Sequence, residues 1–191
     1  MSVLTPPVSR DDHSAGPEDA PVTLVEFGDY ECQHCGAAHP VIQEIQKILG
    51  ASLRFVFRNF PLRQIHPHAE RAAEAAEAAG AQDEFWGMHD LLFENQDALK
   101  DPDLLRYAAS LNLDVERFAK ELTAGLYADR VRRDFRSGVK SGVNGTPTFF
   151  INGVRHDAPW DLPTLLAAVK AAAVAGSGAG RRPSRKRQVE T

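Results

Sequence analysis

Cys32 and Cys35 are the only two cysteines in the sequence, and they stand three residues apart. A bridge between them would close a very short loop, worth on the order of 2 kcal/mol by chain entropy against ~4.7 kcal/mol for a 100-residue loop. Stapling a fold is therefore a poor reason to place them together. The spacing points to chemistry. A thiolate is the nucleophile of disulfide exchange, and a second sulfur one helical turn on can reach the first and expel the substrate. The pair sits between an apolar run and a periodic one, at a strand-to-helix junction where main-chain N–H groups and the helix dipole favour a thiolate. His34, between the cysteines, would when protonated stabilise the Cys32 thiolate electrostatically or by a hydrogen bond. Zinc is the rival chemistry, with His34 or His39 as a third ligand. A closed zinc site takes four ligands, however, and the sequence holds no second cysteine pair, so no metal is expected here.

Glu26 is the misfit of the run Val22-Thr23-Leu24-Val25-Glu26-Phe27. A carboxylate at an inward position of an apolar strand is costly unless it is paired or protonated. Its use would be as general base or proton relay for Cys35, which must lose its proton as it attacks. The alternative is that Glu26 faces solvent at a strand end. His39, His66, His68 and His89 have no recognised spacing to the cysteines and read as surface or packing residues. Phe85 and Trp86 read as core.

These residues need elements to hold them. Val22–Phe27 and Leu53–Phe57 read as strands, and between them Ala38, Val41, Ile42, Ile45, Ile48 and Leu49 recur at helical spacing up to Gly50. A β-α-β unit with a crossover of this length predicts a parallel pair. Residues 63–140 read as helical throughout, with Asp101-Pro102 and Asp114 as starts. From Gly145 the pattern changes to Thr-Pro-Thr-Phe-Phe-Ile-Asn-Gly-Val, a strand turned at Asn152-Gly153 into a short partner, and a closing helix runs from Leu162 to about Val174. Residues 1–21, rich in Pro, Ser and Asp, read as an irregular lead-in, and 176–191 as a disordered basic tail. The domain proper is expected over 22–175.

The conjunction of Glu26, Cys32-Gln33-His34-Cys35, a large helical block and Gly145-Thr146-Pro147-Thr148-Phe149-Phe150-Ile151-Asn152-Gly153 resembles the DsbA-like branch of the thioredoxin-fold thiol–disulfide oxidoreductases. The likeness covers about residues 20–172. It implies an α/β thioredoxin fold, β-α-β followed by β-β-α, with a helical insertion between the halves. It implies attack by Cys32 and resolution by Cys35, with a cis proline at Thr146-Pro147 lying against the pair, where a substrate strand would bind. The cofactor would be the redox-active disulfide Cys32–Cys35 itself. Gln33 departs from the best-known periplasmic oxidants, which carry Pro there, and this leaves the oxidising strength open.

Composition bounds the rest. An apolar fraction of 43% and a charged fraction of 25% over 191 residues suit one globular unit. No run approaches the ~18 to 20 apolar residues of a spanning helix. The formal charge is −4, and residues 176–191 hold five basic groups against one acidic, so the body is net acidic and offers no nucleic-acid face. The N-terminus has neither a basic start nor an apolar stretch, which predicts a cytoplasmic protein, or a periplasmic one if the start is trimmed. Expected partners are protein or low-molecular-weight thiols and disulfides and a redox partner not identified by sequence. The competing functions are a partner-binding module of the same fold with a vestigial or metal-binding cysteine pair, and a glutathione-using relative.

Overall fold

A computed structural model describes residues 2–179. Its centre is a five-stranded sheet whose strands, β1 (His13–Ala15), β2 (Val22–Gly28), β3 (Leu53–Asn59), β4 (Thr148–Ile151) and β5 (Val154–His156), lie in the order β1-β3-β2-β4-β5. The parallel pair is β2 (Val22–Gly28) with β3 (Leu53–Asn59), joined by α1 (Gln33–Leu49). On the other side of β2, β4 (Thr148–Ile151) runs antiparallel and turns into β5 (Val154–His156). The turn places Asn152 and Gly153 at positive φ, 48° and 80°, which the Asn-Gly pair tolerates. Between β3 and β4 the chain forms α2 (Ala69–Gly80), α3 (Phe85–Glu94), α4 (Asp101–Ser110), α5 (Val115–Thr123) and α6 (Ala128–Lys140). The closing helix α7 spans Leu162–Ala179. The fold is thus the expected β-α-β, helical insertion, β-β-α.

Strand alternation divides the core into two layers. Leu24, Phe55, Phe57, Phe149 and Ile151 face the larger layer with α1 and the insertion helices, whereas Val25, Phe27, Val56 and Phe150 face the smaller one. The insertion docks through α2, whose alanines at 69, 72, 73, 75, 76, 78 and 79 are all buried. Small side chains on most of its surface let neighbouring elements approach on several sides.

Both chain ends differ from the sequence expectation. His13–Ala15 form β1, an edge strand antiparallel to β3, so the lead-in belongs to the sheet. Leu4 and Val8 cover the smaller core layer. The anchor is Arg58 of β3, a buried guanidinium that donates to Asp12 at 2.7 and 3.0 Å and to the carbonyls of Pro6 and Pro7 at 3.0 and 3.1 Å. A three-residue strand has too little length for periodicity, and its ordering groups lie some 46 residues away, beyond any local signal. At the other end the backbone remains helical through Ala179, past the expected stop near Val174, and the rest of the tail lies outside the described residues.

Candidate redox site

Position 26 follows Leu24 by two, so Glu26 points to the α1 side of the sheet, in register with Phe57 on β3 and Phe149 on β4. The residue is only 2% exposed, and its Oε1 has no hydrogen-bond partner. Burial, reinforced by negative charge at Cys32, raises its pKa to about 8. The solvent-facing alternative is overturned. Two residues on, β2 ends at Gly28, where Phe57 leaves no room for a side chain: a Cβ there would lie 2.4 Å from the ring.

Cys32 is the N-cap of α1, with extended backbone at φ −77° and ψ 117°. Its N–H donates to the Asp29 carbonyl at 3.1 Å, and its carbonyl accepts from the Gly36 N–H at 3.0 Å. These bonds seat the sulfur at the open end of the helix. As a thiol it donates to the Thr146 carbonyl at 3.4 Å, and the Thr146 hydroxyl is then a buried group without a partner. Deprotonation turns the sulfur into an acceptor. The Cys35 thiol is the main donor; burial opposes ionisation, and the Thr146 hydroxyl and the N–H groups of Cys35 and His34 support it. The result is a pKa lowered to about 5. Cys35 is the reverse case. It is fully buried, and burial, its bond to Cys32 and the nearby Glu26 carboxylate push its thiol well above the ordinary range.

His34 reaches the sulfur through its backbone, by the junction's main-chain N–H groups, and not through the imidazole for which the sequence predicts the role. Its side chain is exposed, and its main-chain N–H, not its imidazole, supports the thiolate. Thr146 and Pro147 are half-buried beside Cys32, joined by a cis peptide bond. Both cysteines are free thiols, and neither belongs to a metal-type cluster among the described residues.

Three supporting residues escaped the sequence. Gln96, after α3, donates through Nε2 to the carbonyls of Tyr30 at 2.9 Å and Cys32 at 2.8 Å, tying the insertion to the cysteine loop. Gly36 makes room for it, since a Cβ there would lie 2.1 Å from Gln96 Oε1. Asp29, buried, accepts from the N–H groups of Glu31 and Leu62 at 2.8 and 2.7 Å and pairs with His66 Nδ1 at 2.8 Å. Only Asp29 left a trace, as an acid between a strand and the cysteines. Gln96 lies 64 residues from its partner at Cys32 and carries no local signature.

A strand-helix junction that holds two buried thiols, Cys32 at the helix N-cap and Cys35 inside the first turn, with a buried acid beneath, is a thioredoxin-type arrangement. The family described as Thioredoxin matches residues 9–171. BdbD from Bacillus subtilis, in its oxidised form, is similar over 91% of this chain and 98% of its own, with a TM-score of 0.80 and 27% identity. Wolbachia pipientis α-DsbA1 shares the fold at a TM-score of 0.78 and 21% identity, covering 91% of this chain and 96% of its own. The chain belongs to the thioredoxin family. Among curated sequences, the Na(+)/H(+) antiporter NhaA 3 of Salinispora tropica is 49% identical over 170 residues, 88% of this chain and 26% of that protein. NhaA 1 of Salinispora arenicola is 46% identical over 97% of this chain and 29% of its own length. The chain thus spans about a quarter of these relatives. No helix among the described residues is long and apolar enough to cross a membrane.

Proposed function

We propose that the chain is a thiol–disulfide oxidoreductase whose redox group is its own cysteine pair, acting on protein or small thiol and disulfide substrates. The observation that carries this reading is the placement of the pair, with Cys32 at the N-cap of α1 and its sulfur 3.4 Å from the Thr146 carbonyl while Cys35 is fully buried behind it. This environment lowers the Cys32 pKa to about 5 and raises that of Cys35. In the reducing direction the Cys32 thiolate attacks a substrate disulfide, forming a mixed disulfide and releasing one substrate thiolate. Forming that bond removes the negative charge at Cys32 that helps to keep Glu26 protonated. With that charge gone Glu26 releases its own proton to solvent, and the resulting carboxylate takes the proton of Cys35, whose sulfur attacks Cys32 and expels the second substrate thiolate. Two electrons leave the pair and the substrate disulfide becomes two thiols; the oxidising direction is the reverse. Because the bonds to the Cys32 thiolate stabilise the dithiol form, they favour a potential on the oxidising side. Thr146 and Pro147 border the sulfur and would receive the substrate chain. The antiporter names belong to proteins in which the matched region is a minor part, and the Cys32–Cys35 geometry supports thiol chemistry instead of ion exchange.

Trapping tests the assignment. Cys35→Ser should accumulate a covalent adduct through Cys32 with a disulfide substrate, and Cys32→Ser should form none. Adduct through Cys35 would overturn the assignment of the two roles, and two inert thiols would favour the non-catalytic binding module. Equilibration with glutathione then fixes the direction.

A further inference from the structure

His39 of α1 and His89 of α3 meet inside the protein, 5.4 Å apart between ring centroids, within a cluster that includes Phe57, Phe85, Trp86 and Phe93. Packing alone does not explain histidines here, because a buried imidazole nitrogen without a partner is a cost that Phe or Leu would avoid. His39 is 7% exposed, and its buried Nε2 makes no hydrogen bond; the nearest acid, Asp90 Oδ1, lies 3.4 Å away. One donor atom each from His39, His89 and Asp90 lies within 4.8 Å of the other two.

We propose that His39, His89 and Asp90 form a binding site for a zinc-class divalent ion that clamps α1 to α3. Two imidazoles and one carboxylate are a donor set for borderline metals, with a fourth position open to water. Donors around tetrahedral zinc stand about 3.3 Å apart, so the group must draw together by roughly 1.5 Å. Asp90 Oδ1 already stands 3.4 Å from His39 Nε2, so the closure falls on the distances to His89, and the half-exposed Asp90 side chain has the freedom to adjust as they shorten. Outer contacts of the kind that orient ligands are in place. The Tyr30 hydroxyl engages His89 Nδ1 at 3.0 Å, leaving the other ring nitrogen for the metal, and Gln43 hydrogen-bonds Asp90. His39 stands one helical turn after Cys35, and Tyr30 two residues before Cys32, so a bound ion would brace the cysteine loop from beneath.

Calorimetric titration of the full chain with zinc chloride tests the site. The cysteines are first oxidised or alkylated so that they offer no thiolate. The expected result is saturation at one equivalent, weakened by at least about tenfold in His39→Gln and in Asp90→Asn, with neither magnesium nor calcium binding. Cobalt(II) should bind with visible d–d absorption that both variants lose. Asp90→Asn changes a half-exposed side chain, and an unchanged far-ultraviolet dichroism spectrum will show that loss of binding is not loss of fold. Absence of saturable zinc binding, or equal binding by wild type and both variants, would overturn the proposal.

Discussion

Two buried acidic centres in this protein are treated in opposite ways. At the junction of β1, β3, α2 and α6, Glu77 accepts from Asn59 Nδ2 at 2.8 Å and pairs with His13 at 2.8 Å and Arg130 at 3.5 Å. Asp134 beside it accepts from the Asn59 N–H at 3.2 Å and lies 3.3 Å from Arg130. Under the cysteines, Glu26 has one oxygen with no partner at all. The first centre ties sheet to insertion with a cation in place, and its carboxylates hold structure. The second is a carboxyl whose proton is only loosely held near neutrality, at a pKa of about 8, beside two thiols. Partnership marks the structural acid, and its lack marks the one available for proton transfer.

The contrast breaks most visibly at Arg130. Arg130→Ala leaves Asp134 buried without its cation and Glu77 with His13 as its remaining ion-pair partner, at a cost of about 3 kcal/mol, the low end for a broken buried pair because the Arg130 side chain is 14% exposed. Urea unfolding should show this loss, while the rate of disulfide exchange by the folded fraction stays near wild type. A loss of exchange equal to the loss of stability would join the two centres into one. Glu26→Gln should do the converse. Stability at neutral pH should change little, and rapid-mixing kinetics should find the resolving step slowed by about 100-fold with the first attack largely retained. Equal slowing of both steps would remove Glu26 from the proton path.

The pH dependence of stability sharpens the comparison further. Glu26 titrates at about 8 in the folded protein against an ordinary 4.5, so folding holds a proton that the unfolded chain releases, and this contribution fades as pH rises from 4.5 through 8. Cys32 is shifted the other way, from 9.0 to about 5, so its contribution is complete above 9 and lost as pH falls through 5. Between pH 5 and 8 the two slopes oppose, each at most about 1.4 kcal/mol per pH unit, and largely cancel in the reduced protein. Relative to wild type, Cys32→Ser should lose stability as pH rises across that window. Glu26→Gln should gain it. Urea midpoints at several pH values decide the matter, and parallel curves for all three proteins would contradict the assignment.

How far the sequence revealed this depended on the range of each interaction. Val22–Phe27, the Cys-x-x-Cys and the Thr146-Pro147 strand entry are local patterns, and with the helical block they specified the thioredoxin arrangement. The period-two alternation of β2 was enough to suspect Glu26, though only Phe57 and Phe149 from other strands decide that it is buried. Gln96, Arg130 and the β1 strand could not be found in the same way. Each acts through partners tens of residues distant, and no spacing rule connects Gln96 to Cys32 or His13 to Glu77. His39 and His89 looked like packing residues because their meeting, like those, is made by the docking of α3 against α1.

The smallest expected effect concerns His34, the residue that separates side-chain from main-chain control of the thiolate. The sequence favours a role for its imidazolium, whereas in the fold the ring is exposed and the supporting group is the N–H, which any residue except proline supplies. An exposed ring acts through water, where a unit charge at 4 Å is worth about 1 kcal/mol and salt reduces it further. His34→Ala should therefore move the Cys32 titration, followed by thiolate absorbance, by less than about one unit at low salt, and by less still in 0.5 M salt. His34→Pro removes the N–H and should raise the Cys32 pKa at every salt concentration. A shift on alanine substitution that equals the proline shift and survives high salt would return control to the imidazole, and the thiolate would then depend on a side chain that substitution can tune.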